Sequence, residues 1–169
     1  METYLFGTPG GDIDALIEGL HDPDEKERKI AEFALFSQGG RAVKPLIHAL
    51  EVDDAAIRME AARILGDLRL PEAAPALIQA LNDANEGVSA TAVNALIELR
   101  EDALRPILER LADGPVTDRM RDGIYHALRG LENFGILRGN LKHMVDVVKS
   151  NSPAATIQGE AQQMLSLAH

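Results

Sequence analysis

The sequence has no cysteine and no tryptophan, and only 4% of its 169 residues are aromatic. Without a thiol there is no disulfide, no thiolate metal site and no cysteine nucleophile, a composition that suits a reducing cytoplasm. With so few rings, small and branched aliphatic side chains must fill the core. No long uncharged apolar run occurs, so no transmembrane helix is expected. The first residues, M-E-T-Y-L-F, lack the basic start of a signal peptide. Positive charge is also short: 17 Lys and Arg face 27 Asp and Glu, a formal net charge of −10. Phosphate backbones and anionic membranes are bound through basic faces, so neither nucleic acid nor membrane is an expected partner. The histidines are scattered (His21, His48, His126, His143, His169), and none stands four residues from another. A two-His metal face on one helix is therefore missing, and no metal or other cofactor is expected.

What is present is a repeat. Residues 43–68 read as two short helices joined at Asp53 and Asp54. Leu46, Ile47 and Leu50 share one face of the first helix; Ile57, Ala61, Ile64, Leu65 and Leu68 make the core stripe of the second. The first pattern recurs from Leu16, Leu77, Ile107 and Met144, in steps of 30, 31, 30 and 37. The second recurs as Ala31/Leu35, Ala92/Leu96, Ile124/Leu128 and Ala161/Leu165, in steps of 30, 31, 32 and 37. Two independent motifs with nearly one period indicate a stacked helical repeat. The reading is an all-α, right-handed superhelix of about five helix pairs in one domain spanning residues 1–169. The pairs are placed at about 12–38, 42–70, 73–100, 103–131 and 140–168, behind a leader over 1–11 that is either a loose tail or a cover for the open end of the stack, with Tyr4, Leu5 and Phe6 packed on Phe33 and Phe36.

Turn chemistry punctuates the pairs. Asp22 followed by Pro23 and Glu25 reads as an N-cap with a capping box, and Asp83 with Glu86 reads the same way. Gly39-Gly40 stops the second helix, and Pro45, Pro75 and Pro106 fall near the starts of first helices, where proline is tolerated. Ala61 is placed at the tightest contact of its pair, with Ala62 one step round a more tolerant position. Residues 132–140 are an insertion, and Gly159 interrupts the last helix of a degenerate, terminal copy.

The recurring A-x-x-P-L-I-x-A-L…D-D…I-R-x-x-A-A-x-x-L-G-x-L resembles the short HEAT-like repeat, the type also found in phycobilin lyases. The likeness covers roughly residues 12–168 and is closest at Pro45, Leu46, Ile47, Leu50, Asp53, Arg58, Ala61, Ala62, Leu65 and Gly66. It implies an α-solenoid whose Asp and Arg positions hydrogen-bond along the stack, here Asp22/Arg28 and Asp53/Arg58. Pair three offers Asp83 but Ser89, pair four Asp113 with Arg119 or Arg121, and pair five only Ser150 and Gln158, where the ladder is expected to end. HEAT-like deoxyhypusine hydroxylases bind iron through His-Glu dipeptides, and no His-Glu occurs here.

No residue set reads as a catalytic centre. Capping accounts for Asp22, Asp24, Glu25, Asp53 and Asp54, and the adjacent Tyr125 and His126 lack an orienting partner in the sequence. Second helices line the concave surface of HEAT-like folds. Their outward face carries Phe33, Phe36, Met59, Arg63, Gly66, Asn94, Ile97, His126 and Arg129, then Gly159, Gln163 and Ser166. With no catalytic set in sight, the sequence reads as a cytoplasmic, non-catalytic scaffold or adaptor that binds another protein or peptide through that face, although the repeat itself is specific for fold and not for function. Its candidate contacts are Phe33, Met59, Arg63, Asn94, His126 and Arg129, running from an apolar to a polar end. The alternative is a phycobilin lyase-like subunit that handles a chromophore.

Overall fold

The computed structural model describes residues 12–137, 139–149 and 152–167; the leader with Tyr4, Leu5 and Phe6 lies outside them. Regular structure among these residues is helical: α1 (Ile13–Gly19), α2 (Glu25–Gln38), α3 (Gly40–Ala49), α4 (Ala55–Leu68), α5 (Ala74–Ala80), α6 (Glu86–Glu98), α7 (Leu104–Ala112), α8 (Asp118–Asn133), α9 (Asn140–Lys149) and α10 (Ala154–Leu167). Short 3₁₀ turns at Pro71–Ala73 and Arg100–Ala103 lead into α5 and α7. The fold is an α-solenoid. Odd-numbered helices form one layer, with α1 on α3 and α5 on α7; even-numbered helices form the other, with α2 on α4, α4 on α6 and α6 on α8.

The repeated apolar positions explain the two layers. Leu16, Leu46, Leu77 and Ile107 project from the odd helices and Leu35, Leu65, Leu96 and Leu128 from the even ones, none more than 2% exposed. Burying each such side chain contributes about 1.5–3 kcal/mol. Small residues let the even helices approach closely. A Cβ on Gly66 would stand 2.7 Å from Ala95 Cα, and one on Gly130 would run into the Ile97 side chain. Ala61 and Ala62 are both fully buried, so Ala62 is not the tolerant neighbour that the helical wheel suggests. It lies one turn from Gly66 on the face turned towards α6.

Polar side chains connect consecutive turns. Arg58 donates to both carboxylate oxygens of Asp83 in the next repeat, at 2.7 and 2.9 Å, and to the carbonyls of Val52 and Asp53. Both side chains of the pair are nearly buried. Donating to the Asp83 carboxylate raises the Arg58 guanidinium above its usual range. The same bond, against the opposing effect of burial, lowers the Asp83 carboxyl. The rung is not regular. Arg28 caps the carbonyls of Asp22 and Pro23 within its own turn; Ser89 donates to Leu81 O; Arg119 reaches back to the carbonyls of Asp83 and Ala84. The contacts also extend further than expected: Ser150 is outside the described residues, but Gln158 donates to Ala112 O of pair four at 2.9 Å.

The caps correct the sequence reading by two residues in two places. Asp24, not Asp22, caps α2 through Lys26 N–H, and Asp22 closes a turn onto Asp24 N–H. Asn85, not Asp83, caps α6, because Asp83 accepts from Asn85 N–H and holds Arg58. Asp54 and Thr117 cap α4 and α8. Gly39, at φ +55°, ends α2 and opens α3. Because α3 starts at Gly40, Pro45 is interior to it and deprives the Arg41 carbonyl of its helical N–H donor.

The fifth pair departs from the repeat. After α8, Gly135 (φ +72°) and Ile136 donate to the carbonyls of Glu132 and Leu131, a Schellman stop that turns the chain. Leu137 is then buried, and the Arg100 guanidinium stacks 3.6 Å from the Phe134 ring. The two helices that follow exchange layers: α9 packs on α8, and α10 packs on α7. Met144, Val145, Val148, Ile157 and Ala161 are still buried, because either placement presents an apolar stripe to the core.

Candidate functional site

The even-numbered layer, α2–α4–α6–α8 followed by α9, is one wall of the molecule. Phe33 and Phe36 stand on it 73% and 49% exposed, the first of these being the most exposed large apolar side chain among the described residues. They point outward because Ala31 and Leu35 take the core side of α2. Met59 follows on α4, 37% exposed. Its sulfur lies against Gly87, 3.4 Å from where a Cβ would be, so it reaches the start of α6.

Arg63 is not a free anchor. Nη2 lies 2.9 Å from Glu32 of the preceding pair, Nε donates to Glu60 at 2.9 Å, and Nη1 donates to Asp67 at 2.9 Å. Burial opposes its charge, but the carboxylates prevail and raise the guanidinium above its usual range. One cation thus ties α2 to α4 and sits among three anions.

The polar end of the wall is a cleft of about 280 Å³ between α6 and α8. The small side chains of Ser89 and Ala90 and the bare Gly123 open it; Glu86, Arg119, Asp122 and His126 line it. His126 Nε2 lies 3.7 Å from Asp122, and its ring meets the edge of Tyr125 at 5.2 Å. Arg119 is occupied by the two backbone carbonyls of pair three. Asn94 is exposed one turn further along α6, and Arg129 is exposed on α8 and paired with Glu132.

Six sequence candidates therefore lie on one wall: Phe33, Met59, Arg63, Asn94, His126 and Arg129. Other assignments change. Gly66 is buried against Ala95 and Ile97 packs over Gly130, so both belong to the seams between helices. Gly159, Gln163 and Ser166 sit on α10, in the opposite layer. The wall continues instead through α9, whose Lys149 ammonium is 5.8 Å from the Tyr125 ring. Neither Glu32 nor Glu86 was legible as a site residue, because Arg63, which Glu32 holds, and the α8 side of the cleft that Glu86 lines both come from neighbouring pairs. Among the described residues no three His, Cys, Asp or Glu side chains are grouped to hold a metal ion. No helix among them is long and apolar enough to cross a membrane.

The family pattern for HEAT repeats matches residues 13–88 and 43–129. The chain belongs to the HEAT-repeat family. No curated protein sequence matches it. Human deoxyhypusine hydroxylase, solved in complex with glycerol, is similar at 32% identity and a TM-score of 0.50; the match covers 72% of this chain and 44% of that one. The chain thus spans less than half of that enzyme. The complex of CpcE and CpcF of phycocyanin lyase from Nostoc sp. PCC7120 matches at 21% identity and a TM-score of 0.57, over 90% of this chain and 97% of that one. A designed armadillo repeat protein in complex with the peptide (KR)4 matches at 20% identity and a TM-score of 0.39, over 93% and 82% of the two chains.

Proposed function

We propose that this HEAT-repeat chain is a non-catalytic, cytoplasmic scaffold that binds another protein or peptide across its even-helix wall. The observation that carries the reading is the exposed apolar end of that wall, Phe33 and Phe36 with Met59 beside them. Binding energy is concentrated in a few such anchors. Among the described residues the opposite layer has one large exposed apolar side chain, Leu167 at the end of α10, and none on α1, α3, α5 or α7. The cleft at His126 adds polar contacts that would fix register.

The test compares wall and outer-layer substitutions on quantified capture of a partner. Phe33→Ser with His126→Ala should weaken capture tenfold or more, about 1.4 kcal/mol. The control Glu18→Ala with Gln79→Ala, exposed positions on α1 and α5, should leave it unchanged. The reverse pattern would move the interface to the odd-helix layer and sink the proposal. Visible absorbance induced on mixing with a free bilin would replace it with chromophore handling.

A further inference from the structure

The charge around the apolar anchors specifies the partner more closely. On α4 and the facing side of α2, Arg63 is shared by Glu32, Glu60 and Asp67, which leaves two negative charges beside Phe33 and Met59. Two other wall cations are paired with carboxylates of their own. Lys29 pairs with Glu25 at 2.7 Å and Arg129 pairs with Glu132, whereas Arg119 keeps its charge on neutral backbone carbonyls and Lys149 lies over the Tyr125 ring. Lys26, at the N-terminal end of α2, lies beyond this group. In the cleft, Glu86 and Asp122 face outward beside Arg119, two carboxylates to one guanidinium, and no arginine is ion-paired to either among the described residues.

The wall therefore presents exposed apolar side chains at one end and, at two places along its length, carboxylates that outnumber the cations among them. We infer that its partner is a basic segment carrying apolar side chains: Arg or Lys at the Arg63 carboxylate cluster and at Glu86/Asp122, with an aliphatic or aromatic residue against Phe33, Phe36 and Met59. An acidic segment would meet like charge at both places. A neutral apolar one would leave the carboxylates partly desolvated and unpaired, which is costly. The acidic composition of the whole chain, net −10, draws the same class of partner from a distance.

This inference rests on the proposed use of the wall, and the test separates the two. A dye-labelled peptide of alternating Arg and Leu, roughly twelve residues long so that in extended form it spans four packed helices, is titrated with the full chain and followed by fluorescence anisotropy. Its Glu–Leu and Gln–Leu counterparts are titrated in parallel. The Arg–Leu peptide should bind at least tenfold more tightly than either, and raising NaCl from about 50 to about 500 mM should weaken it by a similar factor. Phe33→Ser with Phe36→Ser, and separately Glu32→Gln with Glu60→Gln and Asp67→Asn, should each weaken it tenfold, with helix content and melting checked for every variant.

Preferred binding of the Gln–Leu or Glu–Leu peptide, still lost in the wall variants, would overturn the basic partner and keep the wall. Arg–Leu binding that ignores both variants would overturn both. No binding of the Arg–Leu peptide would overturn the inference. A change in the chain's own sedimentation in the Phe33→Ser/Phe36→Ser variant would make the occupant a second copy and overturn it too.

Discussion

The junction between pairs two and three and the junction between pairs four and five are built differently. At the first, α4 and α6 meet over Ala62, Gly66 and Ala95, close enough that a single methyl would collide with backbone. Arg58 and Asp83 bind the two turns together beside it. At the second, a Schellman stop ends α8, the chain crosses, and α9 and α10 settle on layers opposite to those of their counterparts. Polar links there include two glutamine amides, Gln158 and Gln162, on one carbonyl, Ala112 O, and Lys149 over the Tyr125 ring. A repeat stacks by translation where small residues and a paired charge hold neighbouring copies in register. Where neither is found among the described residues, an apolar stripe can still be buried, but its layer is set by the connection.

Arg58→Ala should produce the largest effect. It removes both bonds to Asp83 and the donors to Val52 O and Asp53 O, leaving a nearly buried carboxylate with Asn85 N–H. The loss should be about 2–4 kcal/mol in urea unfolding, below the range for fully buried pairs because some solvent reaches this one. The pH dependence has a defined sign. Asp83 has a lowered folded-state pKa, so its contribution is present above the unfolded value and is lost as pH falls through the folded one. Asp83→Asn should therefore be less stable than the parent at neutral pH, with the gap closing at the acidic end, below the ordinary aspartate range. A gap that stays constant down to acid denaturation would show that the rung contributes nothing electrostatic.

Gly66→Ala comes next. A helix-interior alanine normally gains up to about 1 kcal/mol, but here the new methyl meets Ala95 Cα, which cannot rotate away. Overpacking should win and leave a net loss of about 1–2 kcal/mol. A gain measured in thermal melts would mean that α4 and α6 are further apart than the seam requires.

Much of this was legible in advance, for a physical reason. The Leu-Ile-x-x-Leu and Ala/Leu spacings report burial directly, so helix pairs and core positions could be read from one sequence. Layer exchange in the fifth pair could not, because Met144, Val148 and Ala161 form the same stripe whichever layer they enter. The step of 37 was the trace it left. Caps slipped by two residues because Asp-Pro-Asp and Asp-Ala-Asn each offer two side chains that can accept a helix N–H, and one of them is used for the turn. Arg63 read as a free anchor although Glu60 and Asp67 stand three and four residues from it on the same helix; only Glu32, 31 residues away, was out of reach of the sequence.

Gly159→Ala should give the smallest effect and the opposite sign to Gly66→Ala. Gly159 is exposed in the interior of α10, and a Cβ there would meet nothing within 4 Å. Its φ is an ordinary helical one, so alanine enters without strain and restricts only the unfolded chain. The gain should be about 0.5–1 kcal/mol. Stacked repeats can open from an end, so a global melt would blur a change this small. Hydrogen exchange within α10 reads it locally, and its amides should slow by a factor of about two to five while those of α4 stay unchanged. The two glycines then serve as opposed probes of the two junctions. Stabilisation at both would mean that the tight seam is not tight. Destabilisation at both would mean that α10 is covered at Gly159, as it would be if another helix lay over that face instead of solvent.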